Sequence, residues 1–109
     1  MSTLTLKQLT DRQTIALTER SDKKKIASLF EPNSVPYPYY FAKKSDMQNK
    51  TSNIPYVMAM IYNDGRIFVD YDSSIEICKD STTAAEFIYN YFYGEWNLWL
   101  NTITLVYKT

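Results

Sequence analysis

Apolar and polar positions along this chain recur with two periods, and the switches between them outline its elements. Thr3-Leu4-Thr5-Leu6-Lys7 alternates with period two and predicts a half-buried strand. Gln13 to Thr18 reads the same way, with Ile15 and Leu17 on one face, although Thr10 followed by Gln13 also spells a helix-start capping box. From Asp22 to Glu31 the period lengthens. Ile26, Leu29 and Phe30 fall on one helical face behind Ser21 as N-cap, and Pro32 ends the helix by pushing its predecessor out of helical geometry. Val35 to Phe41 is expected to be extended because Pro36 and Pro38 fix their own φ, with Tyr39 to Ala42 at a sheet edge. Lys43 to Ser52 is polar and reads as a mobile loop.

The strongest pattern follows. Pro55 to Tyr62 is a nearly continuous apolar run, which predicts a central strand covered on both faces. Asn63-Asp64-Gly65-Arg66 supplies a tight turn, Arg66 to Tyr71 returns, and Ile75-Glu76-Ile77-Cys78 completes a meander. Thr83 and Glu86 then form a capping box ahead of an apolar stripe of Ile88, Phe92, Trp96 and Trp99, so a helix is expected to about Leu100. Ile103 to Lys108 alternates again as a closing strand. The fold class these elements build is α+β: a mostly antiparallel sheet, made of the 55–78 meander plus N- and C-terminal strands, packs against one long aromatic helix at about 83–100, with a short helix at 22–31.

A chain of 109 residues suits one domain, with 45% apolar residues for its core and only two glycines and four prolines. Cys78 is the single cysteine, so no intrachain disulfide forms, which fits a reducing compartment such as a bacterial or host-cell cytoplasm. The first ten residues lack the apolar run of a signal peptide, and no apolar stretch is long enough to span a bilayer. Net charge is zero, but residues 1–50 hold nine Lys/Arg against five Asp/Glu, and residues 51–109 hold three against seven. The halves therefore carry +4 and −4, which hints at basic and acidic patches.

Candidate chemistry is sparse. There is no histidine, hence no imidazole base or metal ligand and no serine–histidine triad. One cysteine builds no structural zinc site, and two glycines 29 residues apart make no phosphate cradle. No cofactor or metal site is expected. Asp70 and Asp72, two apart on a strand, share a face if the strand is regular and are the one acid pair that an enzyme could use with magnesium. The solvated side of a hairpin is the plainer reading of them.

The ten tyrosines are the positive anomaly, concentrated at Tyr37, Tyr39 and Tyr40 and again at Tyr89, Tyr91 and Tyr93. Tyrosine joins a large apolar body to a polar tip and is enriched at interfaces, so Tyr37, Tyr39, Tyr40, Tyr89 and Tyr93 are candidates for contact with a partner. Completing the core beneath the sheet is the competing role. Lys23, Lys24, Lys25, Lys43 and Lys44, interleaved with these aromatics, form a second candidate surface, suited to single-stranded nucleic acid. The expectation is a non-enzymatic module that binds another protein or complex, as monomer or homodimer, for example a small inhibitor or regulator of the phage or mobile-element anti-defence type. Nucleic-acid binding through the Lys/Tyr patch is the alternative.

Overall fold

The computed structural model describes residues 2–30, 38–72 and 74–93. Its elements run in the order β1 (Thr3–Leu4), α1 (Leu6–Thr10), β2 (Thr14–Leu17), α2 (Lys23–Ser28), β3 (Tyr39–Lys43), α3 (Lys44–Asn49), β4 (Ile54–Pro55), β5 (Val57–Ile61), β6 (Ile67–Tyr71), β7 (Ser74–Cys78) and α4 (Ser81–Tyr93). Five strands form one sheet in the order β2-β3-β5-β6-β7, and β1 pairs with β4 in a separate two-stranded ladder. All neighbours in the large sheet are antiparallel except β2 and β3, which are parallel and joined through α2. The fold is α+β.

Two helices cover one face of the sheet. On β5, Val57, Ala59 and Ile61 point to this face, and on β6 Ile67 and Val69 do so; all are buried. Above them α2 contributes Ile26, and α4 contributes Ala84, Ala85, Ile88 and Phe92. Each large side chain buried here is worth roughly 1.5–3 kcal/mol, so this layer holds most of the fold's apolar stabilisation. Helix α4 starts beside β7, capped by Asp80, whose carboxylate accepts from the Thr83 amide at 2.8 Å. By Tyr93 it has reached β2, where the tyrosine hydroxyl donates to the Leu17 carbonyl at 2.6 Å.

Among the described residues the opposite face is covered at one end only. There α1, α3 and the β1–β4 ladder enclose a second, smaller core of Leu9, Ala42 and Ile54, with Leu4, Leu6, Tyr40, Met47 and Tyr56 around it.

Several local expectations need correcting. The N-terminal strand stops at Leu4 because Thr5 and Gln8 make the capping box: the Gln8 amide donates to the Thr5 hydroxyl (3.1 Å) and the Thr5 amide to Gln8 Oε1 (2.9 Å). Thr10 and Gln13 do not make one; Gln13 precedes β2. Asp22, not Ser21, caps α2, and Ser21 instead accepts from the Thr18 amide. The stretch expected as a loop after Lys43 contains α3, a helix that buries no residue and carries an Asp46–Lys50 ion pair at 3.8 Å. β3 lies inside the sheet rather than at its edge. Helix α4 runs from Ser81, directly after Asp80, and is capped by Asp80, so Thr83 lies inside it and makes no capping box with Glu86. The predicted strand at 103–108 and the helix beyond Tyr93 lie outside the described residues.

Candidate functional site

Strand periodicity sends alternate residues to opposite faces, and the ladder registers decide which of them meet. Met58 pairs with Asp70 and Asp70 with Ile75; Met60 pairs with Phe68 and Phe68 with Ile77. Two rows therefore cross β5, β6 and β7 on the face away from the helices: Met58–Asp70–Ile75 and Met60–Phe68–Ile77. Among the described residues nothing covers the end of these rows at β7. Ile75 is 62% exposed and Ile77 51%, while Cys78, which points to the helix side, is 2% exposed. The expectation that β5 is fully covered on both faces is overturned here, because Met58 and Met60 stay partly exposed between buried neighbours.

The hairpin between β5 and β6 borders this surface. Gly65 takes φ +89°, a conformation that side chains avoid, and the Tyr62 amide closes the turn on the Arg66 carbonyl at 2.9 Å. Tyr62 packs edge-on to Phe68 with ring centroids 4.0 Å apart, and the Arg66 guanidinium lies over the Phe68 ring at 5.7 Å. Arg66 is held by Asp64 through its Nε at 2.7 Å, and the hydrogen bonds from Arg66 lower the Asp64 pKa. At the other border Tyr40 and Tyr56 stack at 5.5 Å with Arg12 over Tyr40. Burial, then the neighbouring Tyr40 and Asp70, raises the Tyr56 pKa.

No family model, curated protein or solved structure matches the chain.

The residues singled out by sequence are dispersed. Tyr37 lies outside the described residues. Tyr39 faces the helices and packs edge-on against Phe30 at 5.9 Å; Tyr40, its neighbour, points to the other face and joins the small core. Tyr89 donates to the Glu19 carbonyl and Tyr93 to that of Leu17, so the two hydroxyls tie α4 to the end of β2 and the turn after it. Their rings lie 5.3 Å apart, with Lys23 over Tyr89 at 4.9 Å and Lys43 over Tyr93 at 5.5 Å. Lys23 and Lys43 thus come together around a tyrosine pair, whereas Lys24, Lys25 and Lys44 are exposed on α2 and α3. Asp70 and Asp72 do not share a face. Asp70 sits in the open row, and Asp72, at φ +43°, accepts from Tyr91 of α4 at 2.8 Å. That bond and burial, burial foremost, raise the Tyr91 pKa. Among the described residues no three His, Cys, Asp or Glu side chains gather as a metal site. Cys78 is a poor nucleophile, since burial above all pushes its thiol up to about 11.

The residues that make the open surface, Met58, Met60, Phe68, Ile75 and Ile77, were not among the sequence candidates. Their signal was present in the unbroken apolar run of β5. Such a run places apolar side chains on both faces of a strand, so one set faces away from the helices.

Proposed function

We propose that this protein is a non-enzymatic binding module whose contact surface for another protein is the open sheet face of β5, β6 and β7. The observation that carries the reading is the exposure of Ile75 and Ile77 at the end of an apolar row on a face that this same chain covers elsewhere with a second core. Contiguous apolar surface beside polar groups marks contact sites for other macromolecules. The rows have the composition of an interface centre, with aromatic, methionine and aliphatic side chains and a single carboxylate, Asp70. Occupying the surface of a larger protein in this way suits an inhibitor or regulator. Among the described residues no helix is long and apolar enough to cross a membrane. The lysine–tyrosine surface offers less to nucleic acid, because the rings of Tyr40, Tyr89 and Tyr93 already carry Arg12, Lys23 and Lys43.

The test is affinity capture with two baits, the natural chain and an Ile75→Lys, Ile77→Lys double variant of matched thermal stability. A protein recovered in stoichiometric amount by the first and lost by the second supports the reading. Identical recovery by both, or no partner for either, contradicts it.

A further inference from the structure

The surface just described ends at β7, and this strand is a sheet edge with one side paired to β6 and, among the described residues, no strand on the other. Edge strands of natural proteins are ordinarily blunted by charged side chains, lysine above all, by a proline, by a bulge or by a covering element. β7, Ser74-Ile75-Glu76-Ile77-Cys78, has no proline and no lysine, carries one charge, the acidic Glu76, and its ladder with β6 runs unbroken from Tyr71↔Ser74 to Ile67↔Cys78. The other edge, β2, differs: α4 reaches it through Tyr93, which engages the Leu17 carbonyl.

Charge then selects what fits the β7 edge. Glu76 is exposed on the helix side of β7, and Asp72 and Asp80 flank the strand at the same alternation. The acidic field is felt by neighbours: after burial, Glu76 and Asp80 raise the Cys78 pKa, and Glu76 and Asp72 raise that of Tyr71. Lys79 is the one base between Asp70 and Asp80. The edge thus presents isoleucines to one side and acids to the other.

A second copy is a poor occupant. Antiparallel self-pairing that sets Ile75 against Ile77 of the copy puts its two-fold axis at Glu76, so Glu76 faces its own equivalent and Asp72 faces Asp80. Like charges directly opposite each other across a ladder are destabilising. Moving the axis to Ile75 or Ile77 relieves the acids but opposes only one isoleucine with its equivalent.

We infer that the outer edge of β7 accepts an added strand from the partner protein, an extended segment in which lysine or arginine alternates with aliphatic residues. Its backbone continues the ladder, its aliphatic side chains extend the Met60–Phe68–Ile77 and Met58–Asp70–Ile75 rows, and its cations meet Glu76, Asp72 and Asp80. This inference rests on the open-face reading and adds the chemistry of the occupant.

The experiment uses the full chain, isotope-labelled, at low ionic strength. Three seven-residue peptides serve as probes: lysine alternating with valine, glutamate alternating with valine, and lysine alternating with proline, which keeps charge but cannot pair as a strand. The lysine–valine peptide is expected to slow exchange of the β7 amides that point away from β6 by about tenfold or more, with no such protection from the other two. Glu76→Lys is expected to reverse the preference between the two valine peptides. Equal protection by the lysine–proline peptide, or an unchanged preference in Glu76→Lys, overturns strand addition. If those tests fail while capture still depends on Ile75 and Ile77, protein binding stands and the added strand falls. Slow exchange of the same amides before any peptide is added refutes the added strand. It shows the edge already occupied, by a second copy if sedimentation gives a dimer and by the chain itself if it gives a monomer.

Discussion

Isoleucine-to-threonine substitution at Ile67 and at Ile77 separates core from open surface, because threonine keeps the β-branch and leaves strand preference nearly unchanged. The two residues stand on adjacent strands and face opposite sides of the sheet, at 1% and 51% exposure. Each change removes the equivalent of about two carbons, roughly 1.6 kcal/mol if both are fully buried. At Ile67 a cavity and a desolvated hydroxyl add to that loss, for a total of about 3–4 kcal/mol. At Ile77 only half of the side chain is buried, no cavity forms and the hydroxyl meets water, so the loss is about 0.8 kcal/mol. Urea unfolding of both variants measures the difference, and in thermal scans it corresponds to a Tm drop on the order of 15–20 °C at Ile67 against about 5 °C at Ile77. Equal losses at the two positions would refute the reasoning, since they would show Ile77 covered in the folded protein.

Further outcomes follow from the same geometry. The hydroxyls of Tyr56, Tyr71, Tyr91 and Tyr93 all have raised pKa values, with burial the leading cause. Their stabilising contribution is therefore complete below the ordinary value of 10.0 and is lost as pH rises through the folded-state values, so stability measured by urea titration falls steeply above pH 10. Asp80 has the opposite sign: its bonds from Thr83 lower its pKa below 3.8, so its contribution is present above that value and lost as pH falls through the lowered one. Asp80→Ala is expected to lower Tm at pH 7 and to remove that acid-limb dependence, while Asp80→Asn, which still accepts from Thr83, retains most of the stability. Gly65→Ala meets no neighbouring atom within 4 Å, so its cost comes only from φ +89° and is about 1 kcal/mol in urea unfolding.

What the sequence disclosed follows the strength of each local pattern. The meander was legible because β5, β6 and β7 are joined by turns with their own chemistry: Asp64-Gly65 at one, and at the other Asp72, a residue type that tolerates positive φ. α1 and α3 were not legible, since helices of five and six residues are too short to display a period and their apolar residues serve a second core built by distant segments. The parallel pairing of β2 with β3 is equally non-local; nothing in either strand encodes its partner's direction. The candidate site was hidden by a more specific ambiguity. In Ile75-Glu76-Ile77-Cys78 alternation alone would bury the isoleucines, but the register with Ile67 and the position of α4 turn Cys78 inward and both isoleucines out. The tyrosines were legible as an anomaly but not as a role. Tyr89 and Tyr93 spend their hydroxyls on backbone carbonyls near β2, a use that depends on contacts some 70 residues away.

The central claim is that the β5–β7 face stands open at Ile75 and Ile77. Relaxation of isoleucine methyl resonances by a soluble, uncharged gadolinium chelate measures this directly in the full chain. Strong enhancement at Ile75 and Ile77, with little at Ile67 and Ile88, is the predicted result. Methyls at 75 and 77 as shielded as those of the core would contradict the account.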